Sequence, residues 1–154
     1  MTEKTTQKPG QNRRKSRELA MKGLYSLLLS ESDLQETMRD LTEDADYPRA
    51  DQAYFRGLLE GVVADRAAID ARIAPLLDRK LDELSPIEHA VLCISGYELM
   101  FDISIPYRVA INEGVELAKR YGGTDGHKFV NGVLDKLAAE ARPDEFKRES
   151  KSRG

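Results

Sequence analysis

Tyr107–Leu137, YRVAINEGVELAKRYGGTDGHKFVNGVLDKL, is the stretch whose reading decides the fold. Apolar residues recur there at three- and four-residue intervals on both sides of Gly122-Gly123-Thr124-Asp125-Gly126, the spacing of two helices hinged on glycines. Pro106 suits a helix start, because the N–H it lacks is among those a first turn leaves unpaired. Gly122 reads as a left-handed C-terminal stop. Thr124 or Asp125 then caps a second helix, whose face is Phe129, Val130, Val133, Leu134 and Leu137, and Pro143 closes it.

Working back toward the N-terminus, Ser85-Pro86-Ile87-Glu88 has the order of a capping box with proline at the first helical position. The helix it opens should turn Ile87, Ala90, Val91, Ile94, Tyr97 and Phe101 to a core. A longer helix carries Tyr54, Phe55, Leu58, Leu59, Val62, Ile69 and Ile73 and stops near Pro75. Asp33 caps a short helix with Leu34, Met38 and Leu41, and residues 42–48 make a loop. The first helix spans about 13–30, with Ala20, Leu24, Leu27 and Leu28 inward and Arg13, Arg14, Arg17 and Lys22 left to solvent. Alternation of period two is absent, so the expected fold is all-α.

Composition narrows the functional classes. Forty per cent hydrophobic and 33% charged residues over 154 positions describe one globular domain, or two small helical subdomains sharing an interface. No apolar run reaches the length of a membrane span, and no export signal is visible at the N-terminus, so a cytoplasmic location is expected. A single cysteine, Cys93, excludes an internal disulfide. With two distant histidines it also makes a structural zinc site unexpected. The net charge of −3 hides an asymmetry: residues 4–22 hold seven basic groups and one acid, whereas residues 31–84 hold seven basic and fourteen acidic. A basic arm ahead of an acidic body orients a polyanion onto one face.

Three arginines at 13, 14 and 17 cover one side of a helix start, where the macrodipole disfavours cations and an anionic partner would offset that cost. Solvated charge explains them equally well. A guanidinium can clamp a phosphate with two bonds or stack on a base, which suits single-stranded RNA. The segment from Gly122 to Lys128 fails the phosphate-loop pattern, since Lys128 follows no glycine and no strand precedes it. Exposed amides at a helix start can still receive a phosphate, with Lys128 adding charge and Phe129 a stacking ring if it faces outward. Two helix ends meeting at glycines account for the segment without any ligand. His127 beside Asp125 lacks a nucleophile, and Cys93 sits among apolar neighbours as a buried, inert thiol. No catalytic set and no cofactor site emerges.

These segments closely resemble the NusB family of bacterial transcription antitermination factors. The match runs through Ile105-Pro106-Tyr107-Arg108-Val109-Ala110-Ile111-Asn112-Glu113, Glu116-Leu117-Ala118-Lys119 and His127-Lys128-Phe129-Val130-Asn131-Gly132-Val133-Leu134-Asp135. Arg13-Arg14, Arg17-Glu18, Ala20, Leu24-Tyr25 and the helix from Glu88 to Leu99 support it. The resemblance implies a NusB-like fold of about seven helices in two packed subdomains, 13–82 and 83–141, between flexible tails at 1–12 and 142–154. It implies boxA single-stranded RNA and the ribosomal protein NusE as partners, with other Nus factors and RNA polymerase reached indirectly, notably on ribosomal RNA operons. It places Arg13, Arg14, Lys15, Arg17, Tyr25, Asp125, Lys128 and Phe129 near RNA and Glu88 near the protein partner. Lys15 stands where the family favours arginine, and Gly96 and Gly114 where alanine is expected, at a cost of ~1 kcal/mol each inside a helix.

Two other classes compete. NusB-like domains also precede certain RNA cytosine methyltransferases, but that reading needs a cofactor-binding α/β domain for which the chain is expected to have no room. A self-associating helical module without RNA is the second, and charge reversal at Arg13, Arg14 and Arg17 separates it from an RNA binder.

Overall fold

The computed structural model describes the backbone of residues 9–153 and the side chains of 12–148. Seven α-helices and no strand occur among the described residues: α1 (Pro9–Leu29), α2 (Leu34–Leu41), α3 (Gln52–Ile73), α4 (Pro86–Phe101), α5 (Tyr107–Tyr121), α6 (Gly126–Ala141) and α7 (Pro143–Arg153). Short 3-10 turns at Tyr47–Arg49, Ala74–Leu76 and Leu81–Glu83 link them. The all-α expectation and the helix count hold. Among the described residues, no helix is long and apolar enough to cross a membrane.

Local chemistry sets most of the starts. Asp33 accepts from the Glu36 N–H at 2.8 Å, Asp51 from Tyr54 at 3.0 Å and Ser85 from Glu88 at 3.1 Å, so α2, α3 and α4 each begin with a side-chain cap. Helix α5 has only Pro106 in the cap position. Its Tyr107 N–H is satisfied by the Glu145 carboxylate at 2.8 Å, reaching across from α7.

Helix α4 is the axis of the molecule. It packs against α1 and α3 on one side and α5 and α6 on the other. Ala90 to Gly96, Glu98 and Leu99 are all buried, so the one-sided apolar face expected for α4 is a belt instead. Each large aliphatic side chain withdrawn there stabilises the fold by ~1.5–3 kcal/mol. Phe101, expected in the core, is 47% exposed at the end of this helix, near Ile103 at 85%. Tyr97 is half-buried, its ring filling the space a side chain at Gly61 would need.

Other expectations are corrected. Residues 9–12 continue α1 rather than belonging to a tail, while 1–8 lie outside the described residues. The segment read as a second tail, 142–154, is helical from Pro143 to Arg153 and packs on α6. Arg142 anchors this turn from the inside, and Phe146 stacks against Tyr107 with centroids 5.3 Å apart. Gly122 is extended, with φ −93° and ψ −176°, not left-handed. A Cβ there would meet the Ala118 carbonyl oxygen at 2.7 Å, so close approach is what demands glycine.

Gly114 follows the same logic. A Cβ on it would run into Ser95 Oγ and stand 3.0 Å from Leu134 Cδ1, where α5 meets α4 and α6. Its glycine is matched to Ser95, which is 2% exposed, and is not merely a weak helix residue. Gly114→Ala should destabilise by ~1–3 kcal/mol through overpacking, and adding Ser95→Ala should restore at least ~0.5 kcal/mol of it in urea denaturation. Strict additivity of the two changes would refute the contact.

Candidate nucleic-acid interface

The start of α1 is tied to the start of α3. Asp51 N–H donates to the Asn12 carbonyl at 3.1 Å, and Ser16 Oγ lies 2.7 Å from the Asp51 carbonyl oxygen. On this platform the basic residues face different ways. Arg13 lies over the Tyr54 ring at 4.4 Å, with Asp51 4.0 Å away, and is 43% exposed. Arg14 is 59% exposed and forks onto Glu113 of α5, Nε at 3.0 Å and Nη2 at 2.8 Å. That hydrogen bond, then the charge of the same carboxylate, raises the Arg14 pKa. Lys15 sits between Glu18 at 3.5 Å and Asp46 at 3.6 Å.

Arg17 departs from expectation. It is 4% exposed, pointing inward rather than to solvent. Its Nε donates to Glu98 of α4 at 2.9 Å, and Nη1 lies 3.8 Å from Glu113. Tyr54 donates its hydroxyl to the same Glu98 oxygen. Burial first, then the Glu98 charge, pushes the Tyr54 phenol above its usual range, so it stays a donor. Burial alone would lower the Arg17 pKa, but the charges of Glu98, Tyr54 and Glu113 together with the Glu98 hydrogen bond outweigh it, and the guanidinium stays ionised. A charge buried with its partner cannot also meet a ligand.

A second cluster forms at the glycine joint. Asp125 and Lys128 are 75% and 74% exposed and 3.6 Å apart. Asp125 is the N-cap residue of α6, one of the two expected, but its side chain makes no capping bond. Phe129 is half-buried, and the Arg79 guanidinium lies 4.1 Å from its ring centroid. The starts of α4 and α6 abut: Glu88 Oε2 is 3.0 Å from where a Cβ on Gly126 would sit.

The seam between α1 and α5 connects the two clusters. Arg14 meets Glu113, Arg120 meets Glu18 at 2.9 Å, and Glu18 and Lys22 influence Tyr121 at the end of α5. From Glu113 to Gly122 a helix rises ~14 Å, which sets the distance along α5 between the basic turn and the glycine joint. Tyr25 is elsewhere, half-buried beside α2 in a recess with Asp40, Glu43 and Asp44.

Sequence reading assigned no ion pair to Glu113, Glu18 or Arg120 and no ring contact to Arg79. Arg14 and Glu113 are 99 residues apart, and neither sits in a motif that announces an ion pair. It also missed Asp70 of α3, which accepts from His89 at 2.8 Å and Cys93 at 3.5 Å and pairs with Arg66 at 3.4 Å. These ligand-type atoms of Asp70, His89 and Cys93 fall within 4.8 Å of one another, already bonded as a cluster between α3 and α4. Burial first, then the Asp70 charge, pushes the Cys93 thiol well up, so it is not a nucleophile.

Residues 14–139 match the NusB family. The chain is 64% identical over 145 residues to the transcription antitermination protein NusB of Methylobacillus flagellatus, covering 94% of each chain. It is 49% identical over 140 residues to that of Thiobacillus denitrificans, covering 91% of this chain and 97% of the relative. Among solved structures, T. maritima NusB superposes with a TM-score of 0.75 at 33% identity, over 88% of this chain and 96% of the other. The NusB chain of a crystal structure of antitermination factors NusB and NusE in complex with dsRNA gives 0.73 at 26% identity, over 82% and 96%.

Proposed function

The chain belongs to the NusB family, and from that premise we propose that it is a non-enzymatic, cytoplasmic RNA-binding adaptor of transcription antitermination. With NusE it binds boxA RNA and helps assemble a termination-resistant RNA polymerase complex, notably on ribosomal RNA operons. The observation that carries this is the likeness to the NusB and NusE structure solved with RNA. In support, Arg13, Arg14 and Lys128 are cations at least 43% exposed, and Lys15 is partly so. These four are the proposed phosphate contacts. Arg17 is a positioning residue, because its burial leaves it no surface for a ligand. Phe129 with Arg79 offers a stacking platform, Asp125 borders it, and Tyr25 lies further along α1. Glu88, at the junction of α4 and α6, is the proposed partner contact.

The test is a gel shift with boxA RNA and a scrambled control, single-stranded and duplex, with and without NusE. Four neutralised phosphates give a slope of log affinity against log salt near −3 on a single strand. Arg13→Glu with Arg14→Glu should weaken binding at least ~30-fold at low salt and flatten that slope. Unchanged boxA binding by a folded double variant would remove the basic turn from the site, and a preference for duplex would replace the single-stranded ligand with a helical one.

A further inference from the structure

The basic turn is less free than its charge count implies. Each of its described cations has an acidic neighbour: Arg13 has Asp51, Arg14 has Glu113, Lys15 has Glu18 and Asp46, and Arg17 has Glu98 and Glu113. Most of these carboxylates are structural in a second sense. Asp51 caps α3, and Glu98 holds Arg17 and Tyr54 in the core. Glu113 differs. Its side chain is 15% exposed, and its two oxygens take both arms of a guanidinium that is itself mostly in solvent. Two parallel N–H···O bonds to a planar fork is the geometry by which arginine grips a phosphodiester. The Arg17 Nη1 at 3.8 Å adds a second positive group behind the same carboxylate.

Resting on the adaptor reading above, we propose that Glu113 is a built-in competitor for RNA: its carboxylate occupies the position of a backbone phosphate at Arg14. Binding is then an exchange. The phosphate takes the Arg14 fork, and the freed Glu113 carboxylate turns to solvent beside Glu116 and Lys119, which line the same shallow groove. Affinity at this point is held below what an unpaired arginine would give. The exchange is also blind to sequence, because a phosphate contact positions the strand without reading bases.

Glu113→Gln is the informative variant. It keeps the shape, leaves Arg17 paired with Glu98 and leaves Arg14 hydrated, so the fold is retained. Glu60→Gln, an exposed acid on α3, controls for the loss of one negative charge anywhere. Both are compared with the unmodified chain, in complex with NusE, on boxA and scrambled RNA. Glu113→Gln should tighten both RNAs by the same factor, about three- to fivefold, which is the strength of an exposed ion pair. The salt slope should change by less than one phosphate's worth, about 0.7 on a single strand, because Arg14 meets the same phosphate in both proteins. Equal gains in Glu113→Gln and Glu60→Gln would overturn the inference as a general charge effect. Unchanged or weaker binding by Glu113→Gln, with the unmodified chain still binding, would overturn it while sparing the adaptor reading. No RNA binding by any of the three would bring down both.

Discussion

Replacing Glu98 by alanine is expected to cost the fold ~3–5 kcal/mol, because it strands a buried guanidinium. Glu98 is 0% exposed and receives Arg17 Nε at 2.9 Å together with the Tyr54 hydroxyl. Without it, Arg17 keeps only Glu113, at 3.8 Å. The loss is large enough to consume much of a small domain's stability, which is ~5–15 kcal/mol. Urea denaturation followed by circular dichroism reads it directly. Pairing Glu98→Ala with Arg17→Met should recover part of the loss, since no orphaned ion stays buried, the remainder being the cavity that the smaller pair leaves. A single-variant loss below ~1 kcal/mol would mean that the pair is hydrated and that Arg17 reaches solvent after all. The folded double variant should bind RNA as the unmodified protein does, separating positioning from contact.

Arg142→Ala should be the next most damaging change, at ~3 kcal/mol or more. Arg142 is 6% exposed and sits where α4, the following loop and α7 converge. Its Nε donates to the Leu99 carbonyl at 2.8 Å, and its Nη2 lies 2.9 Å from the carbonyl oxygens of Glu98, Asp102 and Ile105. Its Nη1 holds Glu145 at 2.7 Å, the residue whose other oxygen accepts from Tyr107 N–H. One side chain therefore satisfies the carbonyls that end α4 and steadies the carboxylate that begins α5. Arg142→Lys should rescue little, because an ammonium lacks the planar fork that spans several acceptors. Hydrogen exchange should show faster opening at Tyr107 in both variants. Wild-type thermal stability in Arg142→Lys would refute this account.

Helix positions were legible wherever the signal is local. Asp33, Ser85 and Pro86 act on backbone groups within three residues, so their meaning survives without tertiary knowledge. The apolar faces of α3 and α6 were readable for the same reason. Helix α4 was readable as a helix but not as the hub, since complete burial erases the one-sided pattern that reports orientation. The last segment misled because Pro143 and a run of charges resemble an ending. What fixes it is Arg142, whose carbonyl acceptors lie 37 to 44 residues away.

The interface divided along the same line. Arginines at a helix start are visible as a cluster, but which of them points outward is decided by Glu98 and Glu113, far along the chain. Arg13 and Arg14 stand out, and Arg17 turns in. The charge count of the first residues was correct and still overstated the field, because it could not include acids contributed by α3, α4 and α5.

The depth at which Cys93 lies has a practical corollary. It is the sole cysteine in the chain, with no exposed surface and its sulfur held against Asp70. Maleimide dyes and nitroxides therefore find no native attachment point in the folded protein. A thiol introduced at Lys119 or Lys136 would accept such a tag uniquely, with the natural cysteine left in place as a silent reporter of unfolding.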